Sequence, residues 1–458
     1  MESTTTDFKA NASRALGDDT LQASLSRLKQ GFQAKRLAAI ERLGEFDELC
    51  AAARDIKDHT LDNLDFYLER FAGRVSQQGG HVHWCRDAAE ARAVILGICR
   101  DAGAAKVTKS KSMIGEEIAI NGHLEANGVR PVETDLGEYI IQLRGEAPSH
   151  IIAPAIHLSK EQVAETFVEK HGELAENRNL EEPRTLLDEA RTVLRDDFLA
   201  ADVGLSGANM MVAETGSIVL VTNEGNADLT MTLPRVHIAL ASIEKVVPTL
   251  DDAATILRVL ARSATGQELS VYTTFVTGPR REGDLDGPES FHMVILDNGR
   301  SRMLADGFKE MLRCIRCGAC LNNCPVYGAI GGHAYGWVYP GPMGSVLTPA
   351  LIGLGQSAHL PNASTLCGKC ESVCPMSIPL PGLLRRWREK AFARKHLSLL
   401  GRLGLKAWAY LALRPKLYRA FFAPAVALLR ALGGIGPLAR PEGGTFMSSW
   451  SKGEGKRR

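Results

Sequence analysis

The sequence predicts an α/β domain, then a mainly α-helical cysteine-rich module, then a helical basic tail. Three observations carry this reading. Residues 80–300 alternate short apolar runs with amphipathic stretches, the rhythm of a parallel α/β sheet. Seven of the ten cysteines fall between Cys314 and Cys374. Residues 376–458 hold 17 Lys/Arg against 3 Asp/Glu, a net of +14, which leaves −13 for residues 1–375 of a chain whose overall charge is +1.

The 458 residues would fill about three domains on the usual size prior. Hydrophobic residues at 45% and aromatics at 6% exclude disordered, collagenous and coiled-coil classes. The organisation read from composition and periodicity is an N-terminal helical region (1–79), an α/β domain (80–300), a cysteine-rich module (301–385) and a basic C-terminal region (386–458). Apolar spacing predicts two helices over 18–75. HVHWC (81–85) reads as a strand and 87–103 as a helix stopped by Gly103. AKVTKSKS (105–112) is a strand running into a loop, 115–128 a helix, and EYIIQL (138–143) a further strand. Residues 159–200 read as helical, 207–226 as two strands around Thr215-Gly216, and 251–263 as a helix. RVHIALASIEKVVP, LSVYTTFV and FHMVIL add strands. An entering helix covers 303–314, and the Gly- and Pro-rich stretch from Tyr327 to Leu360 reads as looped. No repeat of fixed period is apparent.

Cys314, Cys317, Cys320 and Cys324 have the spacing C-x2-C-x2-C-x3-C and are followed by Pro325. Three thiolates at three-residue intervals wrap one [4Fe–4S] cubane, while the fourth, turned away by proline, ligates a second cluster. Structural zinc prefers two separated ligand pairs around one tetrahedron, which four cysteines within eleven residues do not offer. Cys367, Cys370 and Cys374, followed by Pro375, repeat the ladder without its first rung, where Ser364 stands. With crossed ligands, the first [4Fe–4S] cluster takes Cys314, Cys317, Cys320 and Cys374. The second takes Cys324, Cys367 and Cys370 and lacks a fourth cysteine. It is then a [4Fe–4S] cluster with a non-cysteine ligand, water or hydroxide or one of the candidates Ser364, His333 and His359; or a [3Fe–4S] cluster; or a cluster completed by Cys50, Cys85 or Cys99, the least expected outcome. Cys50, Cys85 and Cys99 are expected to be small buried hydrophobes on a separate domain. Gly318 and Gly368 each follow a ligand and allow close backbone approach.

Two such clusters make a one-electron conduit. Neither a dinucleotide fingerprint nor a phosphate-binding loop accompanies them, which points to a subunit of a larger oxidoreductase rather than a complete enzyme. The segments KSKSMIGEEIAIN (109–121), ETDLGEYIIQL (133–143), PSHIIAPAIH (148–157) and AETGSIVLVTNEGNADLTMTLPRVHI (213–238), with CIRCGACLNNCPVY and LCGKCESVCP, resemble the lactate utilization protein B family over nearly the whole chain. The resemblance implies a lactate-utilisation domain, with a fold similar to sugar-phosphate isomerases and CoA transferases, and a ferredoxin-like two-cluster module. It further implies two sibling subunits, one cysteine-rich and one a lone α/β domain, and joint oxidation of L-lactate to pyruvate to an unnamed electron acceptor. Rival readings are the electron-transfer subunit of another 2-hydroxyacid or glycerol-phosphate oxidase, and a metabolite-binding redox sensor.

No catalytic residue is assigned from sequence. Lys109 and Lys111 follow a strand, where open α/β sheets place ligands, and could hold a carboxylate. Glu116 and Glu117 open a helix, where acids suit the dipole. Glu214, Thr215 and Gly216 read as one turn, and Asn223, Glu224 and Asn226 as another; His157 and His237 read as core histidines. The N-terminus lacks the basic start and apolar core of a signal peptide, so a reducing cytoplasm is expected. The longest apolar run in the tail, Ala420 to Leu429, is too short to span a bilayer. Its flanking bases suit peripheral contact with the inner membrane face. The aromatics form no stacking platform for nucleic acid.

Overall fold

The computed structural model describes residues 3–172, 174, 178–435 and 438–439. They divide into two compact units, residues 1–388 and 389–458. In the larger unit the strands, in chain order, are β1 (His81–Cys85), β2 (Lys106–Lys109), β3 (Arg130–Glu133), β4 (Val203–Gly207), β5 (Met210–Val212), β6 (Ser217–Thr222), β7 (Val236–Ser242), β8 (Val246–Val247), β9 (Tyr272–Val276) and β10 (Ser290–Leu296). Six of them form a parallel sheet in the order β1-β10-β7-β4-β2-β3. A smaller sheet, β8-β5-β6-β9, carries two antiparallel pairs.

The central strands are apolar on both faces because both faces are covered. Along β7, Ile238 and Leu240 enter one core with the helix Ala88–Asp101, while Ala239 and Ala241 enter the other with the helix Leu64–Gln77. β10 alternates the same way, Val294 and Leu296 against Phe291, Met293 and Ile295.

Local chemistry explains where the elements depart from the pattern in sequence. Residues 138–143 are helical, within Leu136–Arg144, and the strand lies earlier, at β3. The Asp135 carboxylate accepts from the backbone N–H groups of Gly137 and Glu138, and Gly145 closes the helix in the left-handed conformation. These two caps outweigh the β-propensity of an Ile-Ile pair. The N-terminal region holds more than two helices. A π-helical turn at Lys29–Gln33 separates Asp19–Leu28 from Ala34–Glu41, and Asn63 divides Phe46–Asp62 from Leu64–Gln77. The entering helix is replaced by the short helix Arg300–Ala305 and the 3-10 turn Lys309–Arg313. Within the stretch expected to be looped runs a buried helix, Gly341–Leu351. The Trp387 indole, stacked on Phe308 at 4.1 Å, donates to the Val346 carbonyl of that helix at 2.8 Å. Pro349 near the helix end leaves the Ser345 carbonyl free of its usual partner.

The helix Phe46–Asp62 links the sheet to the cysteine-rich module. Its Lys57 ammonium donates to the Glu244 carbonyl after β7, and its Asp58 and Asp62 pair with Arg313, at 2.5 Å, and Lys309. Cys50, on the same helix, is therefore not on a separate body; it shares the electrostatic surroundings of Arg36 and Cys374. Cys85 and Cys99 are core residues of the sheet.

In the smaller unit, helices Leu399–Ala412 and Pro415–Ala431 and the link between them expose large apolar side chains, among them Leu400 at 82% and, in the link, Leu413 at 80%. Among the described residues no helix is long and apolar enough to cross a membrane.

Candidate iron–sulfur and substrate sites

The two ligand loops are one backbone device used twice, 50 residues apart. Arg316 and Leu366 have φ of 62° and 55°, and Gly318 and Gly368 have φ of 74° and 81°. Each glycine precedes a one-turn helix, Ala319–Asn322 or Lys369–Ser372. In the first loop the N–H of Asn322 donates to the Gly318 carbonyl and that of Cys324 to Leu321; in the second, Ser372 donates to Gly368 and Cys374 to Glu371, all at 3.0–3.1 Å. A side chain at either glycine would strain a left-handed turn, and at Gly318 it would also press on Ile152 at 3.2 Å. In this repeat Ser364 occupies the position of Cys314. Its hydroxyl accepts from the Leu366 N–H at 3.1 Å.

Cys314, Cys317, Cys320 and Cys374 line one cavity whose other walls are chiefly apolar, among them Met311, Met343 and Ile378. Among the described residues no three His, Cys, Asp or Glu side chains converge as a single metal ion requires; these thiols surround a space. Burial pushes the bare Cys374 thiol up to about 11 and Cys370 up to about 12, so bound iron charge is what would draw these groups into their thiolate form. Backbone N–H groups point at the sulfurs: Met376 and Ile378 toward Cys374, Glu371 toward Cys370, and Tyr327 toward Cys324 at 3.5 Å. The donor set suits iron–sulfur clusters, whose sulfurs take such bonds. Cys324, Cys367 and Cys370 feel one another's charge. Cys367 is exposed and Cys370 buried. His333 is engaged by the Ala147 carbonyl at 2.7 Å and the His157 ring, and His359 packs on Phe8.

A fully buried ion network joins this module to the sheet. Arg300 pairs with Glu117 through two nitrogens, at 2.6 and 2.9 Å, and with Glu244 at 3.1 Å. Tyr339 donates to Glu117 at 2.6 Å and Asn298 does so at 2.7 Å. Arg316 reaches Glu244 at 3.3 Å and lies over the Tyr339 ring. Burial opposes the Glu244 charge, yet Arg300 and Arg316 hold its carboxyl down at about 2. Glu117 is thus a structural hub rather than a helix-dipole acid.

A second cavity, of about 280 Å³, opens at the C-terminal ends of β2, β4 and β7, the expected ligand position in a parallel sheet. Lys111 lines it; Lys109 does not, since its ammonium is fully buried between Glu116 and Glu133. Asn223, Glu224 and Asn226 also line it, tied respectively to Gln267, the Leu136 N–H and Thr134. Glu214 accepts from the Leu250 N–H, a turn role, and Gly216 packs on the backbone of Arg74 and Val75. His237 is a core residue bonded to Ser206 at 2.7 Å, and His157 bonds Glu146 at 2.7 Å. Two cations that sequence reasoning missed, Lys245 and Arg316, face this cavity. The charged pair inside the apolar run ASIEKVVP and the arginine between two ligand cysteines were their signals.

The fold and thiol set define a class: an α/β domain carrying a dicluster iron–sulfur module. The LUD domain family matches residues 68–296, and the 4Fe-4S dicluster domain matches residues 310–378. Lactate utilization protein B of Bacillus licheniformis is 44% identical over 421 residues, 92% of this chain and 87% of that protein. Its counterpart from Shouchella clausii is 45% identical over 414 residues, 90% and 86% of the two chains. The uncharacterized electron transport protein YkgF of Escherichia coli is 43% identical over 419 residues, 92% and 87%. A solved structure of a DUF162 family protein from Deinococcus radiodurans aligns with 51% of this chain and 98% of its own at 14% identity, with a TM-score of 0.29. The chain belongs to the lactate utilization protein B family, and its module is of the kind that holds two iron–sulfur clusters.

Proposed function

We propose that this chain is the iron–sulfur electron-transfer subunit of a complex that oxidises L-lactate to pyruvate, acting with two sibling subunits. The observation that carries the reading is the thiol-lined cavity lying against the cavity at the sheet edge, with Ile151 and Arg316 in the walls of both. The names of its relatives supply the substrate. Converting lactate to pyruvate removes two electrons and two protons from the C2–H and C2–OH bonds. Bound clusters supply one-electron carriers for those electrons. Cys314, Cys317, Cys320 and Cys374 are the ligands of the first cluster, and Cys324, Cys367 and Cys370 those of the second. The test is anaerobic: add L-lactate to the purified chain and to its mixture with both sibling subunits, and follow cluster absorbance and EPR. Bleaching in the three-subunit mixture supports the reading. Bleaching by dithionite but not by L-lactate removes it and brings forward another 2-hydroxyacid or glycerol phosphate.

Ser364 stands at the fourth corner of the second cluster, by its equivalence to Cys314 in the repeated loop. A serine oxygen is a harder donor than thiolate and holds iron less firmly. Ser364→Cys is therefore expected to slow loss of one iron on mild oxidation, and Ser364→Ala to speed it, read as the [3Fe–4S] EPR signal. Equal signals in all three proteins would remove Ser364 from the site.

The exposed apolar side chains of residues 399–431, interleaved with Arg402, Lys406, Arg414, Lys416 and Arg419, suit adsorption to an anionic membrane surface on the cytoplasmic side. The chain is expected to float with vesicles containing anionic lipid and to be released by salt; failure to float at low salt would count against it.

A further inference from the structure

Lys245 is an unusual residue to find at a sheet edge. It ends a 3-10 turn, Ile243–Lys245, directly after β7, and is only 8% exposed. Among the described residues its ammonium has no hydrogen-bond or ion-pair partner, although it lines the cavity at the ends of β2, β4 and β7. A buried cation without a partner is costly, and such a group is retained where something else supplies the counter-charge. Glu244 and the Cys314 sulfur attract it, but neither is in ion-pair contact with it. Glu244 pairs instead with Arg300 and Arg316, and Glu138 lies 4.0 Å from Lys111, whose ammonium donates to the Ile152 carbonyl at 2.7 Å. The hydroxyl of Ser110, which lines the same cavity, is also buried and unpartnered. One cavity thus presents an unpaired ammonium, a second ammonium, a guanidinium and a free hydroxyl in a space fit for a small molecule.

We infer that this cavity is a binding site for a small 2-hydroxy- or 2-oxocarboxylate, with Lys245 as the main partner of its carboxylate, Arg316 and Lys111 adding charge, and Ser110 facing its C2 oxygen. The inference deepens the proposed function and rests on it for the choice of acid. It adds that the lactate site is carried by this chain. Arg316 gives the location its sense: it walls the carboxylate site and the thiol-lined cavity together, so a ligand held here lies beside the first cluster's ligands.

The experiment uses the full-length chain with its clusters reconstituted anaerobically. Pyruvate, which cannot reduce the clusters, is titrated calorimetrically into wild type, Lys245→Gln and Lys245→Arg, with lactamide as the neutral analogue. Iron and sulfide content show that each variant is loaded. Wild type is expected to bind pyruvate and not lactamide. Lys245→Gln is expected to bind at least tenfold more weakly, with Lys245→Arg in between. The same variants, mixed with both sibling subunits, give KM for L-lactate, and a tenfold rise is expected for Lys245→Gln. If the wild-type mixture is bleached by L-lactate and Lys245→Gln has an unchanged KM, the carboxylate site is elsewhere and the electron-transfer reading stands. If pyruvate binds in a Lys245-dependent way but L-lactate bleaches nothing, the site stands and the lactate reading falls. Wild type binding no pyruvate, or binding lactamide equally, overturns the inference.

Discussion

Cys320→Ser is expected to cost the first cluster and to lower L-lactate-driven reduction in the three-subunit mixture by at least about 100-fold. Changes one layer outside a metal site already cost roughly 10–100-fold, and this one removes a donor itself. Cys320 feels the charges of Cys314, Cys317 and Cys374, and also that of Cys370 from the other set. Its surroundings thus include a thiol of the other set, and its loss is expected to interrupt transfer between the two clusters. It also unlinks the loops around residues 314 and 374, which sit far apart in sequence and which a shared cluster would staple. The readouts are iron per chain, expected to fall by about half given two clusters of equal size, and the rate of absorbance loss on adding L-lactate. Full iron content with a wild-type rate would refute the assignment of Cys320.

Arg300→Met is expected to destabilise the larger unit by about 3–5 kcal/mol, the cost of leaving a buried charge without its partner. Here Glu117 is left so, since it is fully buried and Arg300 is the cation it pairs with, while Glu244 keeps Arg316. Replacing both members of the Arg300–Glu117 pair should behave differently. In Arg300→Met combined with Glu117→Gln no carboxylate without a cation remains, because Glu244 keeps Arg316, and much of the lost stability is expected to return. Urea unfolding of the three proteins measures this. A loss below about 1 kcal/mol in the single variant would show that water reaches the network. The network spans the helix after β2, the turn after β7, Tyr339 and the ligand loop at Arg316, so Arg300→Met is also expected to loosen the ligand loop, visible as faster loss of iron.

The tail is a case where composition alone was informative. Its charge and its apolar runs are properties of the sequence, and the exposed side chains of residues 399–431 follow from having too few apolar partners within so short a unit. The ladder was legible for a similar reason. Thiolate spacing and the proline after each set are local, and the chemistry of iron–sulfur ligation constrains them directly. The strands β7 and β10 were legible because parallel strands buried on both faces leave continuous apolar runs. Residues 138–143 were misread because the same run fits a helix, and the deciding caps at Asp135 and Gly145 lie outside it.

What the sequence determined by itself is what neighbours along the chain decide: the α/β rhythm, the ligand ladder, the basic tail and the family. The tertiary structure decided which charges have partners. Lys109 and Lys111 are two residues apart, yet one is spent on buried carboxylates and the other faces a cavity, because β2 ends between them. Glu117, Arg300 and Glu244 are separated by more than 50 residues, and nothing local marks them as one network. The 50-residue repeat of the ligand loop showed in its cysteines, glycines and prolines, but its shared backbone was hidden at the remaining positions: Arg316 and Leu366 share a conformation and no chemistry. Long-range pairing of charge and backbone conformation are set when distant segments are brought together, and only the folded chain displays them.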